Sequence, residues 1–311
     1  MDMQSISSSD QAMSISEYAK ELKNSGIRVV SVKSENFWVG YELGSLVRVP
    51  SFFVGTPAPG EVRQILWKSG KAVATYLLSP DESHTENAWL YVCNDHNYSL
   101  EKLSSPMRRN VRRGLRELEI KLITVEQLLL HGVEAFCDTR RRVGVSDGTA
   151  TQFQRRFLQR AKCSAHVFWG AWNRDKLAAF LSVTEVDGWA EIEGCFSADA
   201  MLNLRPNDTL FFSVLSHYLT KKKIDIVSYG TSSIQESSNL ETLHLFKTKV
   251  GFEARKVHRA FELHPFLCPI RNMTVLRLAR FLLKLAPRNR ILKKAVGTLA
   301  IMLNAHQPLK Q

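Results

Sequence analysis

An α+β fold of mixed sheets flanked by helices is predicted for this 311-residue chain by three features of its sequence. Residues 165–172, 177–186 and 189–197 are successive apolar runs of strand length, and Asp187-Gly188 between the last two suits the positive φ of a two-residue hairpin turn. A helix, a strand, a helix and a strand follow over residues 207–264. Ahead of these, short strand-like runs are punctuated by Pro50, Pro57, Pro59 and Pro80, as in an α+β unit with several loops.

Taken in order, residues 17–24 read as a short helix, and residues 28–32, 37–42, 62–67, 72–78 and 88–92 as strands. Ser104 or Ser105 caps a helix that runs through Pro106, a favourable first-turn residue, to about Leu118. Residues 125–142 and 151–162 form amphipathic helices around a loop holding Gly144 and Gly148, and the three strands come next. The helix opening near Asn207 puts Leu210, Phe211, Val214, Leu215 and Tyr218 on its buried side. Residues 224–229 are a buried strand. Ser238-Asn239-Leu240-Glu241 is a capping box for the next helix, whose Leu243, Phe246 and Val250 recur at helical spacing. Gly251 stops that helix by taking a conformation costly for a residue with a Cβ. Residues 252–264 alternate irregularly, which suits a strand at or near an edge. Four units are expected: a Ser-rich disordered start (1–14), an N-terminal half (15–123), a C-terminal half (124–268) and a helical tail (269–311).

Composition narrows the function. A hydrophobic fraction of 44% with 23% charged residues is ordinary for a globular protein. Cys93, Cys137, Cys163, Cys195 and Cys268 are odd in number and lack C-x-x-C spacing, so neither a disulfide framework nor a zinc site is indicated. No signal-peptide pattern and no apolar run long enough to span a bilayer is read, so a cytoplasmic protein is expected. Of the net charge of +12, most lies after residue 270, where nine basic residues meet no Asp or Glu; the remainder of the chain is nearly balanced. That distribution argues against a nucleic-acid groove in the body.

Three motifs carry a resemblance. Leu103-Ser104-Ser105-Pro106-Met107-Arg108-Arg109-Asn110-Val111-Arg112-Arg113-Gly114, Ser228-Tyr229-Gly230-Thr231-Ser232 and Phe246-Lys247-Thr248-Lys249-Val250-Gly251, in the element order above, resemble the Fem-like branch of the GNAT superfamily across residues 37–265. In that branch two GNAT-like halves sit in tandem. The resemblance implies an acyltransferase that moves an acyl group from a donor co-substrate to a small amine acceptor, an amine of a cell-envelope or sugar precursor, with no bound cofactor. It also implies that Lys247 stabilises negative charge, on a substrate phosphate or on the oxyanion of the tetrahedral intermediate. The alternative for Lys247 is a solvated lysine on an ordinary helix. GNAT enzymes that use acyl-CoA grip its pyrophosphate with a Gly-rich turn after the fourth strand. Residues 197–208 here contain no glycine and include Asp199 and Asp208. Arg205, Asn207 and Thr209 are the candidate donor-binding residues, and acyl-CoA and aminoacyl-tRNA both stay open as donors.

Period-two geometry puts Glu191 and Glu193 on one strand face. A partly desolvated carboxylate there is a candidate general base, Glu193 first and Glu191 as alternate; the other reading is a salt bridge to Arg155, Arg156 or Lys176. Glu193 and Lys247 are expected to look into one slot where the middle strand of the C-terminal sheet splays from its neighbour. Tyr229 lies near where the resemblance implies a phenol that protonates the leaving group, although a core aromatic is the commoner fate. His217 and His244 read as structural or surface residues. Arg108, Arg109, Arg112 and Arg113 crowd one helix with Arg116, and such like charges call for an anion: a phosphorylated substrate or a solvated face beside Glu117 and Glu119.

In the tail, Val275, Leu278, Leu282 and Leu285 share a helical face and Arg277, Arg280 and Lys284 another; residues 291–303 form a second, more apolar segment. Such a helix suits an anionic membrane surface, reached through residues 271–303, or packing back on the body. Two function classes are therefore carried: a cytoplasmic N-acyltransferase, peripheral on the inner face of the membrane, and a catalytically inactive GNAT-fold protein that binds the membrane surface.

Overall fold

The structure is a computed structural model describing residues 13–32, 36–41, 44–83, 85–144, 148–233 and 240–304. Ser14 starts the first helix, α1 (Ile15–Asn24), with a full capping box: its hydroxyl accepts from the Glu17 amide while the Glu17 carboxylate reaches back. Then come β1 (Val29–Val30), β2 (Phe37–Tyr41), β3 (Ser45–Val49), α2 (Glu61–Ser69), β4 (Val73–Leu78), α3 (Pro80–Ser83) and β5 (Ala88–Cys93). α4 (Ser105–Glu117), β6 (Glu119–Ile123), α5 (Val125–His131), α6 (Val133–Arg142) and α7 (Ala150–Arg160) lead to the meander of β7 (His166–Asn173), β8 (Lys176–Val186) and β9 (Trp189–Ser197). The order ends with α8 (Pro206–Ser216), β10 (Ile226–Thr231), α9 (Leu240–Lys249), β11 (Glu253–Leu263), α10 (Met273–Leu285) and α11 (Arg290–Met302).

Eleven strands hydrogen-bond side by side in the order β1-β2-β3-β4-β11-β5-β10-β9-β8-β7-β6. Two neighbouring pairs are parallel, β3 with β4 and β9 with β10, one in each half; all others are antiparallel. β11 joins the halves. Its first residues pair with β5 and its last with β4.

Several expectations are corrected. β11 is central and not an edge strand; its irregular alternation reflects faces that helices only partly cover. Residues 62–67 are helix α2, because Val62, Ile65 and Leu66 fall at helical spacing on one buried face and Gly60 and Gly70 close the ends. Residues 125–142 form two helices, since the chain bends at Gly132, where a Cβ would sit 2.7 Å from the Leu128 carbonyl and 3.0 Å from the Phe153 ring. β6 was not expected; its mostly exposed side chains hide its register at the sheet edge. The break near residues 123 and 124 is no break in the sheet, because β5 and β6 precede it yet pair with C-terminal strands. In the capping box before α9, Ser238 and Asn239 lie outside the described residues, as do residues 1–12 of the Ser-rich start.

The sheet separates two groups of packed side chains. On one face, Tyr91, Ala190, Ile192 and Val227 pack with Met107 and Val111 of α4, Leu210, Phe211 and Val214 of α8, and Val250 after α9. On the other, Phe168, Phe180 and Phe196 pack under Phe136 of α6 and Phe153 and Phe157 of α7, and Val186 and Trp189 pack under Tyr18 and Leu22 of α1. These are called the α8 face and the α7 face. α4 lies close on α8 at Gly114, where a Cβ would come within 1.8 Å of the Thr209 hydroxyl.

Candidate functional site

β9 and β10 run parallel for only three residue pairs, Trp189 with Ile226, Ala190 with Val227 and Glu191 with Ser228. Beyond these, β9 continues to Ser197 on β8 alone while β10 turns toward β5, where Thr231 pairs with Leu90. Two parallel strands thus part at their carboxyl ends, and an opening of this kind is where open sheets place ligands. Gly230, with φ of +63°, makes the turn away.

Tyr229 and Lys247 stand at this opening on the α8 face. The Tyr229 ring packs on Phe211 (4.9 Å between centroids) and Phe252 (5.8 Å), and burial, with the Cys195 thiol adjacent, pushes its phenol well above the usual range. Burial also pushes the Cys195 thiol up, to about 12, which makes it a poor nucleophile. Lys247 is only 3% exposed. Its Nζ donates to the Tyr229 carbonyl at 2.9 Å and lies over two aromatic rings, 4.0 Å from the centroid of Tyr91 and 4.3 Å from that of Tyr229. Among the described residues no carboxylate forms an ion pair with it. Desolvation lowers its pKa to about 7, so the two rings and one carbonyl leave the ammonium incompletely compensated. The alternative of a solvated lysine is thereby excluded.

Two further residues join this cluster. His244 is one turn before Lys247 on α9; its Nδ1 is 3.1 Å from the Tyr91 hydroxyl and its ring packs on Trp89. The spacing of His244 and Lys247 at i and i+3 was a readable hint that they share a helix face. Tyr91 gave none, since it comes from β5, 153 residues away from His244.

Glu191 and Glu193 occupy the opposite, α7 face. Glu193 is the extra residue of a bulge between the pairs Ser182 with Gly194 and Val183 with Ile192. Its carboxylate pairs with Arg160 at the end of α7 and accepts from the Thr184 hydroxyl at 2.7 Å. Arg160 also donates to the Ser182 hydroxyl. His166, next to this group, is held neutral: burial and then the Arg160 charge lower its pKa to about 3. Glu191 accepts from the Ser51 hydroxyl, and burial raises its pKa. The expectation that Glu193 and Lys247 share one slot is therefore corrected: the strands do part, but the two side chains leave the sheet on opposite sides. Arg160, not Arg155, Arg156 or Lys176, is the partner of Glu193, and an arginine-paired carboxylate is a weak base.

The donor-binding candidates are also placed. Arg205 is exposed and left-handed, with φ of +60°, just before α8. The Asn207 amide donates to the Ser197 hydroxyl and its carbonyl faces the Cys195 thiol. Thr209 is fully buried beneath Gly114, with its hydroxyl on the Arg205 carbonyl at 3.0 Å. Asp199 is tied to Arg141 and Arg142, and Asp208 accepts from Asn110 at 2.8 Å. The Asn207 and Thr209 side chains are thus engaged within the fold, while no side chain caps the first amides of α8. On α4, Arg108 folds back onto the Glu101 and Leu103 carbonyls, while Arg109, Arg112, Arg113 and Arg116 are exposed. This helix covers the same sheet face as Lys247.

No family model matches the sequence, and no curated protein matches it. Solved structures do match its fold. The C-terminal domain of a protein named as a lysylphosphatidylglycerol synthetase, from Agrobacterium fabrum, superimposes with a TM-score of 0.56 at 15% identity, covering 88% of this chain and 98% of that one. FemX gives 0.53 at 9% identity, covering 81% and 92%. A conserved protein of unknown function from Bacteroides thetaiotaomicron gives 0.52 at 8% identity, covering 80% and 89%.

Proposed function

We propose that this chain, which has the GNAT/Fem-like fold with two GNAT-like halves in tandem, is an N-acyltransferase whose reaction centre is the parting of β9 and β10 on the α8 face. The observation that carries the proposal is Lys247, a buried cation unpaired by any carboxylate among the described residues and held at that parting.

An acceptor amine attacks the donor's acyl carbon, a C–N bond forms, and the carbonyl oxygen takes on negative charge. Lys247 in its protonated form supplies the compensating charge in a water-poor setting, where it counts most. Collapse breaks the bond from the acyl carbon to the donor's sulfur or oxygen. Tyr229 assists as a hydrogen-bond donor to that leaving atom; its raised pKa makes full proton transfer uphill. The amine attacks as the free base; the proton its nitrogen sheds on forming the C–N bond passes to His244, which the Tyr91 hydroxyl orients, and from there to the departing sulfur or oxygen. Glu193 stands on the far side of the sheet and takes no part.

The acceptor is an amine of a cell-envelope or sugar precursor. The absence of glycine from residues 197–208 and the engaged Asn207 and Thr209 side chains favour an aminoacyl-tRNA over acyl-CoA as donor, with the exposed arginines of α4 meeting its phosphates. A second reading, an inactive GNAT-fold protein bound at a membrane surface, draws support from the same glycine-free turn and from the basic tail. Transfer assays with acyl-CoA and aminoacyl-tRNA donors and simple amines separate the two. The expected result is turnover that falls about 100-fold in Lys247→Ala, the size of effect seen when one oxyanion donor is lost. Turnover unchanged by that substitution refutes the proposal.

A further inference from the structure

The C-terminal helices pack first on each other. Leu276 of α10 and Val296, Leu299 and Ala300 of α11 form a small core of their own, and Arg271 ahead of α10 closes the hairpin's root on the Met302 carbonyl at the end of α11, at 3.0 Å. α11 meets β11, so the hairpin is anchored through its second helix. The first helix therefore has two apolar faces. Leu276 and Leu283 point inward, with Val275 half-buried beside them, whereas Leu278, Phe281, Leu282 and Leu285 point outward. The outward residues follow i, i+3, i+4, i+7 spacing, so they form one continuous ridge. Leu278 is 58%, Phe281 57% and Leu285 69% exposed. At the tip of the hairpin Ile291 is exposed as well, and at its root Phe266 packs edge-on against Trp67, which is itself half exposed.

Charge identifies the occupant. Arg277, Lys284 and Arg288 are exposed along or just beyond the ridge, and residues 271–311 hold nine basic residues and no acidic one. A second copy of the chain would bring the same positive charge to the contact. A nucleic acid would answer the charge but leave the leucines and Phe281 in water. An anionic lipid surface answers both, with acyl chains taking the ridge and phosphate headgroups the arginines and lysines. No helix among the described residues is long and apolar enough to cross a membrane, so the hairpin would lie in the interface.

We infer that α10 is a membrane-docking ridge that seats this chain on anionic bilayers through Leu278, Phe281, Leu282 and Leu285. The inference rests on the membrane-surface location in the readings above and on none of the proposed chemistry, so an inactive chain that still docks leaves it standing. The test is co-sedimentation of the full chain with vesicles of phosphatidylcholine containing about one-third phosphatidylglycerol, beside pure phosphatidylcholine, with light scattering for mass. Binding to the mixed vesicles only, weakened by salt and reduced at least about tenfold in Phe281→Ser/Leu285→Ser, is expected. Both side chains face water, so the double variant keeps the wild-type melting temperature. The inference is overturned if mixed vesicles are ignored, if the double variant binds them as wild type does, or if the ridge instead holds a dimer that the double variant dissolves. Retention by RNA without retention by vesicles also overturns it.

Discussion

The two faces of the C-terminal sheet treat buried charge in opposite ways. On the α7 face, Glu193 meets Arg160 and Thr184, and Arg160 meets Ser182, so each charge is answered by protein. On the α8 face, Lys247 is more deeply buried yet has two ring faces and a single carbonyl. An answered charge holds elements together; an unanswered one is costly to the fold and available to a ligand. Under the proposed function, Glu193 and Arg160 serve structure and the lysine serves chemistry.

The largest effect that can break this contrast is on the α7 face. Arg160→Ala leaves the Glu193 carboxylate buried without its cation and is expected to destabilise the chain by about 3 kcal/mol in urea unfolding. The folded fraction should keep its turnover. A stable Arg160→Ala variant, or one that folds normally with turnover abolished, would move the chemistry back to Glu193. The smaller test lies on the other face. Tyr91→Phe removes only the hydroxyl beside His244 and keeps the ring under Lys247, so it should cost no more than about 1 kcal/mol of stability. Its signature is a fall in kcat with KM unchanged, and an unaltered kcat would remove His244 and Tyr91 from the proton path.

How much of this was legible follows from where each signal resides. The Asp187-Gly188 turn needed only its own backbone, with φ of +39° and +76°, and could be read directly. The β9 span was equally local. Helix α2 was legible too, since Val62, Ile65 and Leu66 keep helical spacing between Gly60 and Gly70, although the face they cover, against Trp38 and Leu46, is a tertiary fact. The placement of β5 between β10 and β11 is a long-range event that no local pattern records. The same distance hid the partners of the site residues. Arg160 reaches Glu193 from another element, and Tyr91 reaches Lys247 from the first third of the chain. Sequence could nominate Lys247 and Glu193, but only topology could show that a sheet lies between them.

The state of Lys247 can be measured through stability. Its pKa in the folded chain is about 7, below the 10.5 of a free lysine, so between those values the unfolded chain binds the extra proton and wild-type stability rises with pH. Below pH 7 the full desolvation cost is present, and Lys247→Met removes it. The decisive measurement is the difference in unfolding free energy between Lys247→Met and wild type from pH 6 to pH 10. The variant should be the more stable at pH 6, and its advantage should shrink by roughly 4 kcal/mol toward pH 10. A difference that stays flat across that range would mean an ordinary, satisfied lysine and would contradict the assignment of this residue as the unanswered charge of the site.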